Sequence, residues 1–129
     1  MPELTSFDYA IIRVVPLVER GECLNAGVIL FDREAGYIGV RIELDRDRLM
    51  ALAPGVDIDE VERQLNLLAS VARGEPGAGP IAGLSPSQRF HWLTNPRSTV
   101  IQVSAVHSGL CDAPESMLEH LVDTMVRVR

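Results

Sequence analysis

The chain contains no lysine: all twelve of its basic residues are arginine, set against eighteen acidic ones, for a net charge of −6. That balance argues against the phosphate attraction on which nucleic-acid binding rests, and leaves only a local arginine cluster as an anion site. Cysteine is scarce too. Cys23 and Cys111 are too few for a disulfide scaffold and lack a C-x-x-C spacing, so free thiols in a reducing compartment are expected. Long apolar runs are missing: the longest, residues 26–31, is far short of a membrane span. Residues 1–9 have neither the basic nor the apolar region of an export signal, so the expectation is a cytoplasmic protein. The glycines between Gly74 and Gly79 lack the Lys-Ser/Thr ending of a phosphate-cradling loop, which disfavours nucleotide triphosphate hydrolysis.

What is present suits a packed core. Hydrophobic residues make up 47% and charged residues 23% of 129 positions, so a single domain over residues 1–129 is expected. Residues 7–16 read as a strand apolar on both faces, hence interior, and residues 23–31 as a second. In residues 37–44 Ile38, Val40, Ile42 and Leu44 alternate with polar neighbours, predicting a third strand with one packed face. The links between these runs are short, which requires antiparallel pairing. Asp45 caps a short helix over residues 46–53, and Asp57 with Glu60 opens a longer one whose Ile58, Val61, Leu65, Leu68 and Ala72 form a stripe ended by Gly74. Ser85, Pro86 and Gln88 resemble a helix start, yet Phe90 and Trp92 alternate as in a strand, so residues 89–93 fit either element. Residues 99–104 are strand-like, and Asp112, Pro114 and Glu115 open a last helix striped by Leu118, Leu121, Val122 and Met125. The expectation is an α+β fold: an antiparallel sheet of about four strands with helices packed on one face.

Polar residues of chemical interest concentrate in two stretches, Arg13 to Gly27 and Arg89 to Asp112. The segments Ile12-Arg13-Val14-Val15-Pro16, Glu22-x-x-Asn25-x-Gly27-Val28-Ile29-Leu30-Phe31, Arg89-Phe90-His91-Trp92-Leu93-Thr94-x-Pro96-Arg97-Ser98-Thr99-Val100-Ile101-Gln102 and Val106-His107-Ser108-Gly109-Leu110-Cys111-Asp112 resemble the bacterial domain of unknown function 3037 family over nearly the whole chain. The resemblance supplies no catalytic residue or cofactor to carry over. Members are often encoded beside HipA-like kinases, which implies a kinase-associated partner role.

Read as chemistry, Arg13 sits mid-strand and needs a partner: either a carboxylate such as Glu22 or Glu43, or an anion clamped jointly with Arg97. Arg97, Ser98 and Thr99 after Pro96 offer a cation, two hydroxyls and backbone N–H groups suited to phosphate or carboxylate oxygens, and equally suited to an ordinary turn. His91 and His107 could act as acid and base with Cys111 as nucleophile, although Asp112 opposes a thiolate there. The same His107-x-x-x-Cys111 pair with His91 has zinc-ligand types without the paired short spacings of zinc sites, so no metal is assigned. Phe90 and Trp92 are expected in the core.

Two functions are therefore carried forward. The first is a non-enzymatic cytoplasmic binding or partner module, without a cofactor, that holds an anionic group or acidic peptide through Arg13, His91, Arg97, Ser98, Thr99, Gln102 and His107. The second is a small metal-free hydrolase or transferase using Cys111 or Ser98 with His91 or His107. A two-fold homodimer through the last helix is a further expectation, since its apolar stripe carries few charges.

Overall fold

Residues 3–97 and 99–128 are described in the computed structural model of the protein. The strand apolar on both faces is β1 (Thr5–Val14), and it is interior as its composition requires. Along one edge it pairs with β2 (Leu24–Asp32), which in turn pairs with β3 (Tyr37–Ile42). Its other edge is shared end to end by β4 (Ile101–Val103), opposite Ile12–Val14, and β5 (His107–Cys111), opposite Thr5–Tyr9. All pairings are antiparallel, so the α+β expectation holds with five strands rather than about four. The extra strand is β5. Its side chains are mostly exposed and polar, so apolar alternation does not mark it.

A bulge in β2 sets which side chains face where. Ile12 lies opposite Gly27 and Arg13 opposite Asn25, leaving Ala26 as the extra residue. The shift lets Leu24 before it and Ile29 and Phe31 after it reach the same apolar cluster as the bulged Ala26. Only glycine fits beside the bulge, since a Cβ on Gly27 would stand 2.5 Å from the Arg41 carbonyl oxygen.

Three helices cover that face. In α1 (Arg46–Leu52) the Asp45 carboxylate accepts from the Arg48 N–H, and in α2 (Ile58–Arg73) the Asp57 carboxylate accepts from the Glu60 N–H. The Glu60 side chain does not return the bond to Asp57; it takes Arg63 and Gln64 instead. The stripe of α2 buries Val61, Leu65, Leu68 and Ala72, and Gly74 closes the helix through the Ser70 and Val71 carbonyls. Residues 89–93 prove helical, within α3 (Pro86–Leu93), because Ser85 and Gln88 form a complete reciprocal cap.

The last helix, α4 (Pro114–Met125), corrects the expectation that helices occupy one face. It packs on the opposite face of β2 and β3, where Leu118, Leu121 and Val122 meet Phe7, Val28 and Leu30. The reason is the composition of β1 and β2: strands apolar on both faces need cover on both. Just past the helix, Arg127 pairs with Glu43 through two bonds of 2.8 and 2.9 Å and with Glu119 at 2.6 Å, fixing the chain end to the exit of β3. Among the described residues no helix is long and apolar enough to cross a membrane.

Candidate functional site

The helical register of α3 decides what its motif can do. Phe90 and Leu93 turn inward, Phe90 against Phe31 with ring centres 5.6 Å apart. Arg89 donates to the Ala72 carbonyl at 3.1 Å and the Leu84 carbonyl at 2.6 Å, so it closes the C-terminal end of α2. With these positions fixed, His91 and Trp92 face outward. Trp92 is 42% exposed, against the expectation that it sits in the core beside Phe90. Period-two alternation of Phe90 and Trp92 was the misleading signal, since on a helix neighbours two apart do not share a face.

Arg97 folds back over this ring. Its guanidinium lies 4.6 Å from the Trp92 ring centre and donates to the Trp92 carbonyl at 3.0 Å. Among the described residues no carboxylate forms an ion pair with it. Together Trp92 and Arg97 form one wall of a cleft of about 260 Å³, whose floor and far wall come from Leu67, Leu68 and Val71 of α2 and from Ile101. Thr99 lines it too, with its hydroxyl donated to the Ile101 carbonyl at 2.8 Å. Leu67 stands at the rim, exposed. The result is an apolar slot with a cation held at its edge.

The other expected site residues do not join this cleft. Arg13 alternates with Ile12 and Val14, which sit under α1 to α3, and so points to the α4 side of the sheet. There its Nε donates to the Asn25 carboxamide oxygen at 3.4 Å, and Asn25 in turn donates to the Met125 carbonyl at 3.0 Å. Neither partner foreseen for Arg13 is found: Glu22 pairs with Arg20 and Glu43 with Arg127, while Arg97 lies across the sheet. A half-buried guanidinium can meet its need with a neutral amide and water, which a fully buried one could not. Gln102 is the cross-strand neighbour of Arg13 and donates to the Thr99 carbonyl at 2.9 Å. His107 lies on the same α4 side, its ring 5.5 Å from that of Tyr9. His91 is exposed on α3, with Nδ1 3.1 Å from the Ser87 carbonyl. Ser98 lies outside the described residues.

Cys111 is no better placed for catalysis. It is 3% exposed, and its thiol sits 3.9 Å from an oxygen of the fully buried Asp32 carboxylate, which also accepts from the Thr5 hydroxyl and the Ala35 N–H. Burial, with the charges of Asp32 and Asp112, pushes the thiol up; only the Thr5 hydroxyl opposes this. His107 stands four positions away on the same strand, about 13 Å along it, too far to take the thiol's proton. Asp32 was missed in the sequence, where an Asp at the end of an apolar run reads as a plain turn residue. Among the described residues no three His, Cys, Asp or Glu side chains are grouped so as to hold a metal ion.

Comparison with curated proteins and with solved structures finds no match. The sequence profile of one family does match, over residues 9–126, from Tyr9 within β1 to just past α4, and on that match the chain belongs to the family described as protein of unknown function DUF3037.

Proposed function

We propose that the protein is a non-enzymatic partner module whose α2–α3 cleft receives an acidic peptide segment, with a carboxylate on Arg97 and a neighbouring aliphatic side chain in the slot between Trp92 and Leu67. The observation that carries this reading is the Arg97 guanidinium, stacked on the half-exposed Trp92 at the mouth of an apolar cleft with no carboxylate paired to it among the described residues. Stacking and the bond to the Trp92 carbonyl hold the cation in place, while its remaining N–H donors suit a bidentate carboxylate. Loss of side-chain entropy on binding is thereby reduced. The resemblance to proteins encoded beside HipA-like kinases makes such a kinase the partner class of choice, its acidic segment being the ligand. Among the described residues the candidate nucleophile Cys111 is buried and far from His107, which favours this reading over a hydrolase built on that thiol.

Trp92 is the single tryptophan of the chain, so its emission reports on the cleft alone. Titration with a peptide of alternating Glu and Leu is expected to change that emission saturably and in a salt-sensitive way. The matching Gln and Leu peptide is expected to bind about tenfold more weakly, the scale of a lost charge-assisted hydrogen bond. Arg97→Ala should lose the preference for the acidic peptide while keeping its circular dichroism. No saturable response, or an equal response from Arg97→Ala, overturns the proposal.

A further inference from the structure

The β4 strand ends the sheet beside the cleft, and its backbone bonds show which of its edges is open. The Val15 N–H donates to the Val100 carbonyl at 2.7 Å and the Ser104 N–H to the Ile11 carbonyl at 2.8 Å, with Gln102 opposite Arg13 between them. These alternate residues turn their N–H and C=O groups to β1. Ile101 and Val103 therefore turn theirs the other way, where no further strand follows. The Ile101 carbonyl accepts the Thr99 hydroxyl. Among the described residues nothing bonds to the Ile101 N–H, the Val103 N–H or the Val103 carbonyl. The free edge of β3, by contrast, is partly closed by Arg73, which donates to the outward Val40 carbonyl at 3.4 Å.

What lies beside the open edge of β4 decides what can use it. The side chains of Ile101 and Val103 both pack toward α2, and Ile101 lines the cleft of Trp92 and Arg97. A strand laid on this edge would turn its alternate side chains to the same face, and so into that cleft. Resting on the acidic-peptide reading above, we infer that the ligand binds as an added β-strand on the free edge of β4, its main chain bonded to Ile101 and Val103. Main-chain bonds then supply affinity and the cleft supplies selection, the division of labour of strand addition.

The end of the edge accounts for the place of the carboxylate. Opposite Ile101 the ligand sends an aliphatic side chain between Trp92 and Leu67. There the Thr99 hydroxyl already holds the Ile101 carbonyl, so the ladder stops and the next ligand residue is free to turn toward Arg97, two positions before Thr99. Charge selects an acidic strand over a basic or neutral one, because that guanidinium stands at the cleft without an ion-pair partner among the described residues.

Nuclear magnetic resonance on the isotope-labelled whole chain tests this with the peptide of alternating Glu and Leu. The Ile101 and Val103 amide resonances are expected to move on titration, and exchange of the Val103 amide with solvent to slow at saturation. Two variants of the peptide, one N-methylated at every Leu and the other at every Glu, separate a strand from a ligand held by its side chains. Alternate N–H groups of a strand point to one edge, so one variant should bind about tenfold more weakly than the other. Equal affinities, or Ile101 and Val103 resonances unmoved at saturation, overturn the inference and leave the acidic-peptide reading in place. No saturable response to the unmethylated peptide overturns both. Loss of the response at high protein concentration, with a dimer mass in light scattering, would mean that a second copy takes the edge and equally overturns the inference.

Discussion

At the scale of single residues, the candidate nucleophile Cys111 is a side chain the fold uses for structure, through the buried Asp32. Asp32 takes two side-chain donors and one backbone N–H, and so joins the start of β1, the β2–β3 turn and the end of β5 at one buried carboxylate. Cys111 is one of those donors. A thiol pushed up by burial and by Asp32 and Asp112 is protonated and shielded at neutral pH. Iodoacetamide at neutral pH should therefore modify the exposed Cys23 first and reach Cys111 only on unfolding. Rapid modification of Cys111 in a Cys23→Ser variant would contradict this. The same shift has a signed consequence for stability. The folded thiol ionises at higher pH than the unfolded one, so its contribution is complete below about pH 8.5 and declines as pH rises through and beyond that range. Denaturation midpoints of Cys111→Ala should show a shallower alkaline decline than those of the parent chain.

At the scale of elements, the cap of α3 links local sequence to the cleft. Ser85 and Gln88 satisfy each other's N-terminal donors, which fixes the helix that aims Trp92 outward and Phe90 inward. Ser85→Ala removes the side-chain acceptor and should cost about 1 kcal/mol in urea denaturation, with Trp92 emission in the native state shifted as the first turn frays. An unchanged midpoint would show that Arg89 and Phe90 hold α3 without its cap. The capping pattern was legible in the sequence, as were the two-faced β1, the α2 stripe and the Asp45 and Asp57 starts, because each is written in residues within four positions of one another. What was not legible depends on partners far along the chain. β5 is recognisable only through Thr5–Tyr9, about a hundred positions earlier, and α4's choice of face depends on which alternate residues of β2 remain uncovered. The candidate site shows the same limit. Arg97 and Thr99 were identified from their turn, but Arg13, Gln102 and His107 could be assigned to the other side of the sheet only once register was known.

At the scale of the whole molecule, two apolar clusters share one sheet, and the question is whether they unfold as one unit. The α1 to α3 cluster and the α4 cluster draw on alternate residues of the same two strands: Ala10, Ile12, Ile29 and Phe31 for one, Phe7, Val28 and Leu30 for the other. Pulling α4 away would expose Val28 and Leu30, both fully buried, in the middle of β2. Those side chains cannot be relieved without breaking the ladder that also seats Ile29 and Phe31, so local release of α4 should not be stable by itself. Cooperative unfolding follows, as is usual for a chain of this length. Leu121→Ala, at a position 5% exposed in the α4 cluster, should cost about 3 kcal/mol as a buried large-to-small change. Trp92 lies on the opposite face, yet its emission should report that loss in full, with the same midpoint as far-ultraviolet circular dichroism. A Trp92 midpoint left in place while circular dichroism shows an earlier partial loss would mean that α4 detaches independently. In that case the sheet couples its two faces far more weakly than the shared strands require.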